Sequence, residues 1–173
     1  MTGKDPLPGR LLARFPKGAV AAGLFELGAP HAPRDLDARV LAVARVVASA
    51  VGGCPFCIDM NAATWAEAGL TAEQLDGLLN LDRQRWDRLA RREWTAARYA
   101  EALSKTPVEL DESLVASLRA DFSEKEVVVL AFTIAQVNFW TRFNQGLGIP
   151  AAGFFDESVC RLPASSGSSS RHR

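Results

Sequence analysis

Ser123 and Glu126, three residues apart, form a capping box. They open the stretch "SEKEVVVLAFTIAQVNFWTRFN", which is apolar almost all round between Val127 and Ala135. A helix that is apolar on every side must be covered on every side. The spacing therefore predicts a helix of about twenty residues reaching Asn144, placed either at the centre of the fold or across a subunit interface. Its apolar run is shorter than a membrane span and is interrupted by Thr133, Gln136 and Asn138.

The rest of the chain repeats the helical period. Val40, Leu41, Val43, Ala44, Val47 and Ala48 recur on one side of a helix over 37–51, which Gly52-Gly53 terminates. Pro55 stands in the first turn of a helix expected to run to about Ala68. Thr71 and Gln74 form a capping box for a short helix ending near Leu79. Residues 83–104 read as one amphipathic helix with Trp86, Leu89, Ala90, Trp94, Ala97 and Leu103 on its inner side and arginines on the surface, and 112–121 as another. The prolines Pro6, Pro8 and Pro16 predict an extended arm, followed by a short helix at 18–28 and a break at "PHAPRD". No segment of any length carries the two-residue period of a strand, so the fold class is all-α.

With 173 residues, twenty basic side chains and twenty acidic ones, a single domain of balanced charge is expected. Nothing in that balance selects nucleic acid or an anionic membrane as a partner. The start of the sequence lacks the apolar core of a signal peptide, and the cytoplasm is the expected location. The tail "PASSGSSSRHR" reads as disordered. The resulting division is an arm and short helix at 1–35, a helical domain at 36–155 and a tail at 156–173.

Chemistry concentrates in "GGCPFCIDMN". Cys54 and Cys57 lie three apart in the first turn of a helix, where unpaired N–H groups and the helix dipole favour an anion. Thiols so placed have lowered pKa values, and the thiolate is the nucleophile. The same spacing puts both sulfurs on one side of the helix, close enough for an internal disulfide. A structural zinc site would need two further ligands of suitable spacing. Cys160 is isolated, His31 sits in a proline-flanked loop and His172 lies in the tail. A thioredoxin-type fold would need flanking strands. Two cysteines acting as small buried hydrophobes remain the plain alternative. Asp59, two residues from Cys57, points off the shared face and reads as a surface or helix-start charge.

The stretches "GGCPFCIDMNAATWAEAGLTAEQL" and "FSEKEVVVLAFTIAQVNFWTRFNQGLGIP" resemble the alkylhydroperoxidase D and carboxymuconolactone decarboxylase family, over roughly residues 36 to 155. The resemblance implies an AhpD-like fold of six or seven helices, with the Cys-x-x-Cys at the start of a central helix, assembling as trimers or hexamers. It implies a thiol-dependent peroxidase that reduces a hydroperoxide or similar small oxidant without cofactor or metal and is reset by a thiol-disulfide reductant. Cys57 is then the attacking thiol and Cys54 the resolving one, although dipole reasoning alone favours Cys54 as attacker. The family's proton relay, a glutamate upstream and a histidine four residues after the second cysteine, falls here on Ala42 and Asn61. No carboxylate lies between Asp37 and Asp59. Asn61 can hydrogen-bond a thiolate but cannot take its proton. Losing a general base, typically worth about 10²–10⁴-fold, predicts an attenuated enzyme. A non-catalytic oligomeric helical module, or an enzyme of divergent decarboxylase-like chemistry, is the alternative. Asn138 and Arg142 are expected to be structural, and Trp65, Phe139 and Trp140 to be core or interface aromatics.

Overall fold

A computed structural model describes residues 7–27, 35–156 and 158–159. His31, Cys160, His172 and the serine-rich tail lie outside the described residues. Within them the protein is all-helical: α1 (Leu7–Leu12), α2 (Pro16–Leu27), α3 (Ala38–Gly52), α4 (Pro55–Ala62), α5 (Ala72–Leu79), a 3₁₀ turn (Arg85–Arg88), α6 (Arg91–Ser104), α7 (Glu112–Asp121) and α8 (Glu124–Gly146). Eight α-helices thus stand where the resemblance implied six or seven. The additional one is α1, in the stretch expected to be an extended arm. Prolines favour the first turn of a helix as readily as an extended chain, and Pro8 and Pro16 both occupy first-turn positions.

The core forms around α3, which packs mainly against α6 and α8 and buries Val43, Ala44, Val46, Val47 and Ala48 completely. Asp37 caps α3, its carboxylate accepting from the N–H groups of Arg39 at 2.8 Å and Val40 at 3.3 Å. The two glycines at the other end do different work. Gly53 takes the left-handed conformation (φ 66°) that returns its N–H to the carbonyls of Ser49 and Ala50. At Gly52 a β-carbon would lie 2.5 Å from Cγ2 of Thr141, so this position must be bare for α8 to approach.

Both predicted capping boxes form, at Thr71–Gln74 and at Ser123–Glu126. The helix expected over 83–104 is broken in two. Trp86 turns into the core and donates its indole N–H to the Gly77 carbonyl at 3.1 Å, while Glu93 accepts the Ala90 N–H at 3.0 Å and starts α6 afresh. Arg39 of α3 ties this region together, donating to Glu93 at 2.5 Å and to Gln74 at 2.9 Å. Helix α4 ends at Ala62, earlier than expected, and continues as turns to Gly69 (φ 75°).

Asp59 is not a surface charge. It is 1% exposed, and its two carboxylate oxygens accept the backbone N–H groups of Ala152 at 2.8 Å and Phe155 at 2.7 Å. A carboxylate two residues beyond Cys57 therefore holds the segment after α8 against α4. Replacing a buried charged acceptor that satisfies two donors costs about 2–4 kcal/mol. Asp59→Ala is accordingly expected to lower the urea midpoint and to make the 150–159 segment an early site of proteolysis. A midpoint within error of wild type would contradict this account.

Candidate active site

The site forms where the start of α4 meets the last turns of α8. Cys54 is the N-cap of α4, and its sulfur accepts the Cys57 N–H at 3.3 Å, doing the work more often done by a serine or aspartate oxygen. Pro55 fills the first helical position, where no N–H is needed. Cys57 completes the turn with its sulfur beside that of Cys54. Both cysteines are free thiols and both are buried.

Their environments drive the two thiols apart. The Cys54 thiol donates to the Cys57 sulfur, and this bond is the main reason that the Cys57 pKa falls to about 7. Burial opposes the fall. The side-chain amide of Asn144, donating at 3.4 Å, adds to it, and the Thr141 hydroxyl adds further without reaching the sulfur in hydrogen-bond geometry. Cys54 is pushed up, chiefly because its proton is held by Cys57 and then because it is buried. The thiol that is lowered is thus Cys57, where the dipole argument favoured Cys54.

Cys57 lines a cavity of about 530 Å³, from whose lining Cys54 is absent. Phe56, Met60, Val137, Trp140 and Phe154 supply its apolar walls. Glu26, Arg45, Asn61, Gln136 and Asn144 supply its polar ones. Glu26 comes from α2, outside the stretch in which a relay carboxylate was sought. It accepts from Gln136 Nε2 at 2.9 Å and from the indole N–H of Trp140. Arg45, from the middle of α3, is lowered by burial, and the charge of Glu26 works against that lowering.

Asn61 borders the cavity, yet its amide donates to the Cys57 carbonyl at 2.8 Å and not to a sulfur. The amide at the thiolate is Asn144, which sequence reading did not single out. Nor did it find Thr141, Glu26 or Arg45. The one available signal was the run of polar residues at Thr133, Gln136, Thr141 and Asn144, all of them buried in a helix that is otherwise apolar. Asn138 is structural, donating to the Leu103 carbonyl at 3.4 Å, whereas Arg142 is exposed. Trp140 is a cavity wall as well as a packed aromatic. Among the described residues no group of three or more His, Cys, Asp and Glu could hold a metal ion.

Because the thiolate is the reactive form, reactivity at Cys57 should be present above its pKa and lost as pH falls through it. Iodoacetamide labelling of Cys57 is expected to reach half its maximal rate near pH 7. Cys54→Ala and, to a smaller extent, Asn144→Leu should move that midpoint upward. A wild-type midpoint at the ordinary thiol value of about 8.5 would refute the assignment.

Residues 18–102 match the model of the carboxymuconolactone decarboxylase family. The uncharacterised protein YnjA of Escherichia coli K12 is 32% identical over 133 residues, a span that takes in 77% of this chain and 68% of YnjA. Among solved structures, ATU0492 of Agrobacterium tumefaciens, a protein of unknown function suggested to be the antioxidant defence protein AhpD, superposes with a TM-score of 0.69 at 22% identity, over 82% of this chain and 94% of its own. The debrominase Bmp8 gives 0.71 at 20% identity, over 85% and 77%. A cysteine-to-alanine variant of Bmp8 carrying 2,3,4-tribromopyrrole gives 0.67 at 20%, over 91% and 77%. With its all-helical AhpD-like fold and its Cys54–Cys57 pair, this chain belongs to the carboxymuconolactone decarboxylase family.

Proposed function

We propose that this protein is a thiol-dependent peroxidase in which Cys57 attacks a hydroperoxide and Cys54 resolves the product. The observation that carries this reading is the asymmetry of the pair: the thiol held near neutrality faces the cavity, and its proton-bearing neighbour stands behind it. The Cys57 thiolate attacks the terminal oxygen of R–O–O–H; an S–O bond forms, the O–O bond breaks, and RO⁻ leaves to take up a proton as ROH. Cys57 is now a sulfenic acid. Without a thiolate to hold its proton, the Cys54 thiol is released from the main influence that pushed it up. Its sulfur then attacks Cys57, forming the disulfide and expelling water. An external dithiol takes the place of the disulfide as the oxidised species and resets the pair.

Several cavity features support the reading. The apolar walls suit an organic hydroperoxide better than hydrogen peroxide. Glu26, whose carboxylate accepts from two donors and interacts with the Arg45 charge, borders the same space, and we assign it the relay of the proton that Cys57 gives up to the departing RO⁻. Halogenated aromatics form a second class of oxidant to try, since the same fold carries a debrominase that is seen with a bromopyrrole. We further infer self-association, because Val20, Leu24 and Leu27 expose one apolar stripe of α2, with Leu27 81% exposed.

The test is consumption of cumene hydroperoxide with a dithiol reductant. Wild type should turn over repeatedly, Cys57→Ser should be inactive, and Cys54→Ala should turn over more slowly, because the external dithiol must then reduce the sulfenic acid directly. Glu26→Gln should slow turnover by about 10²-fold. Wild-type turnover no faster than that of Cys57→Ser would reject the reading.

A further inference from the structure

Four buried side-chain polar atoms among the described residues have no hydrogen-bond partner, and two of them, Oγ1 of Thr141 and Oδ1 of Asn144, belong to the two α8 side chains that act on the Cys57 sulfur. Each residue is 1% exposed. They lie three apart on α8, hence on one face, turned towards the first turn of α4. Asn144 spends its amide N–H on Cys57 at 3.4 Å, and Thr141 is pinned by its methyl against Gly52. Leaving such an atom unsatisfied costs about 1–3 kcal/mol, so two at one place call for a state in which both are satisfied.

The thiolate cannot supply that state. It has lone pairs only, and the carbonyl oxygen of Asn144 needs a donor. A sulfenic acid has what is missing: an O–H to donate and an oxygen to accept. We propose that Thr141 and Asn144 form a receptor for the oxygen atom that Cys57 acquires, the S–O–H group donating to Asn144 Oδ1 and accepting from the Thr141 hydroxyl. This inference rests on the peroxidase reading and deepens it. The oxygen arrives on the sulfur itself, so the receptor needs no opening of its own to the cavity. The balance is that of the first half-reaction: S–O forms, O–O breaks, the sulfur loses two electrons to the hydroperoxide, and RO⁻ departs as ROH. Held in this way, the sulfenic acid is kept from a second molecule of peroxide until Cys54 reaches it.

The experiment removes the resolving thiol. In Cys54→Ala, an excess of cumene hydroperoxide, enough to oxidise the sulfur twice, is added at about pH 9, and decay is timed from each variant's own sulfenic acid maximum, because removing Cys54 or Asn144 raises the attacking thiol by different amounts. Sulfenic acid is then followed in time by dimedone adduct mass, and sulfinic acid by its own mass shift. The parent is expected to form sulfenic acid stoichiometrically. Adding Thr141→Val or Asn144→Leu should shorten its lifetime by about two- to tenfold, with sulfinic acid appearing sooner; Thr141→Ser, which keeps the hydroxyl, should restore it. Having both variants, one near-isosteric, keeps the test decisive if the other fails to fold. Sulfenic acid that forms and decays at the parent rate in both would overturn the receptor alone, leaving the two atoms to a buried water. If no sulfenic acid forms in the parent, the peroxidase reading falls and the receptor falls with it.

Discussion

The contact between Thr141 and Gly52 fixes where everything else in the site can be. Helix α8 approaches the end of α3 only because residue 52 has no β-carbon to meet the threonine methyl. The approach is locked from the other side by Gln145, which donates to the Gly52 carbonyl at 2.7 Å. With α8 held at that distance, Asn144 brings an amide to the Cys57 sulfur inside an otherwise apolar cluster of Cys54, Phe56, Cys57 and Ile149. Gly53 then turns the chain so that Cys54 arrives as the cap of the next helix. Packing of two helices at van der Waals distance thus sets the electrostatics of a thiol.

That arrangement lowers the pKa of a cysteine through hydrogen-bond donors. Cys54 lends its proton and Asn144 lends an amide, while the N–H groups of the helix start act on the Cys54 sulfur. A donor stabilises the charged form of a thiol whether or not it can itself ionise, which is why an amide serves where a histidine was looked for. Burial raises both thiols: it opposes the lowering of Cys57 and, in Cys54, adds to the larger effect of the proton bond with Cys57. The two sulfurs act as one titrating unit, and oxidation of one changes the acidity of the other.

Legibility in the sequence followed the range of the interactions. Caps, glycine stops and apolar periods are local, and they correctly placed α3, α5, α7 and α8. The Cys-x-x-Cys turn is local too, so its place at the start of α4 could be read directly. The break before α6 could not, because it depends on Trp86 finding Gly77 and Glu93 finding Ala90 and Arg39. Asp59 was misread for the same reason: its partners lie in the segment after α8. Asn61 looked suitable by helical register, but an asparagine in a helix can bond back to the carbonyl four residues before it, and this one does. Glu26 escaped notice because the search for a carboxylate was confined to the chain near the cysteines.

Sequence separation across the site carries one more consequence. Asn144 and Cys57 are 87 residues apart, Asp59 is 93 and 96 from its two partners, and Glu26 is 110 and 114 from Gln136 and Trp140. Loops of that length close late in folding, after the locally specified helices have docked. The contacts that α8 makes with the Cys57 sulfur are therefore among the last to form. The local turn supplies the Cys54 part of the lowering at Cys57, and only the completed fold adds the part that Asn144 and Thr141 contribute from α8.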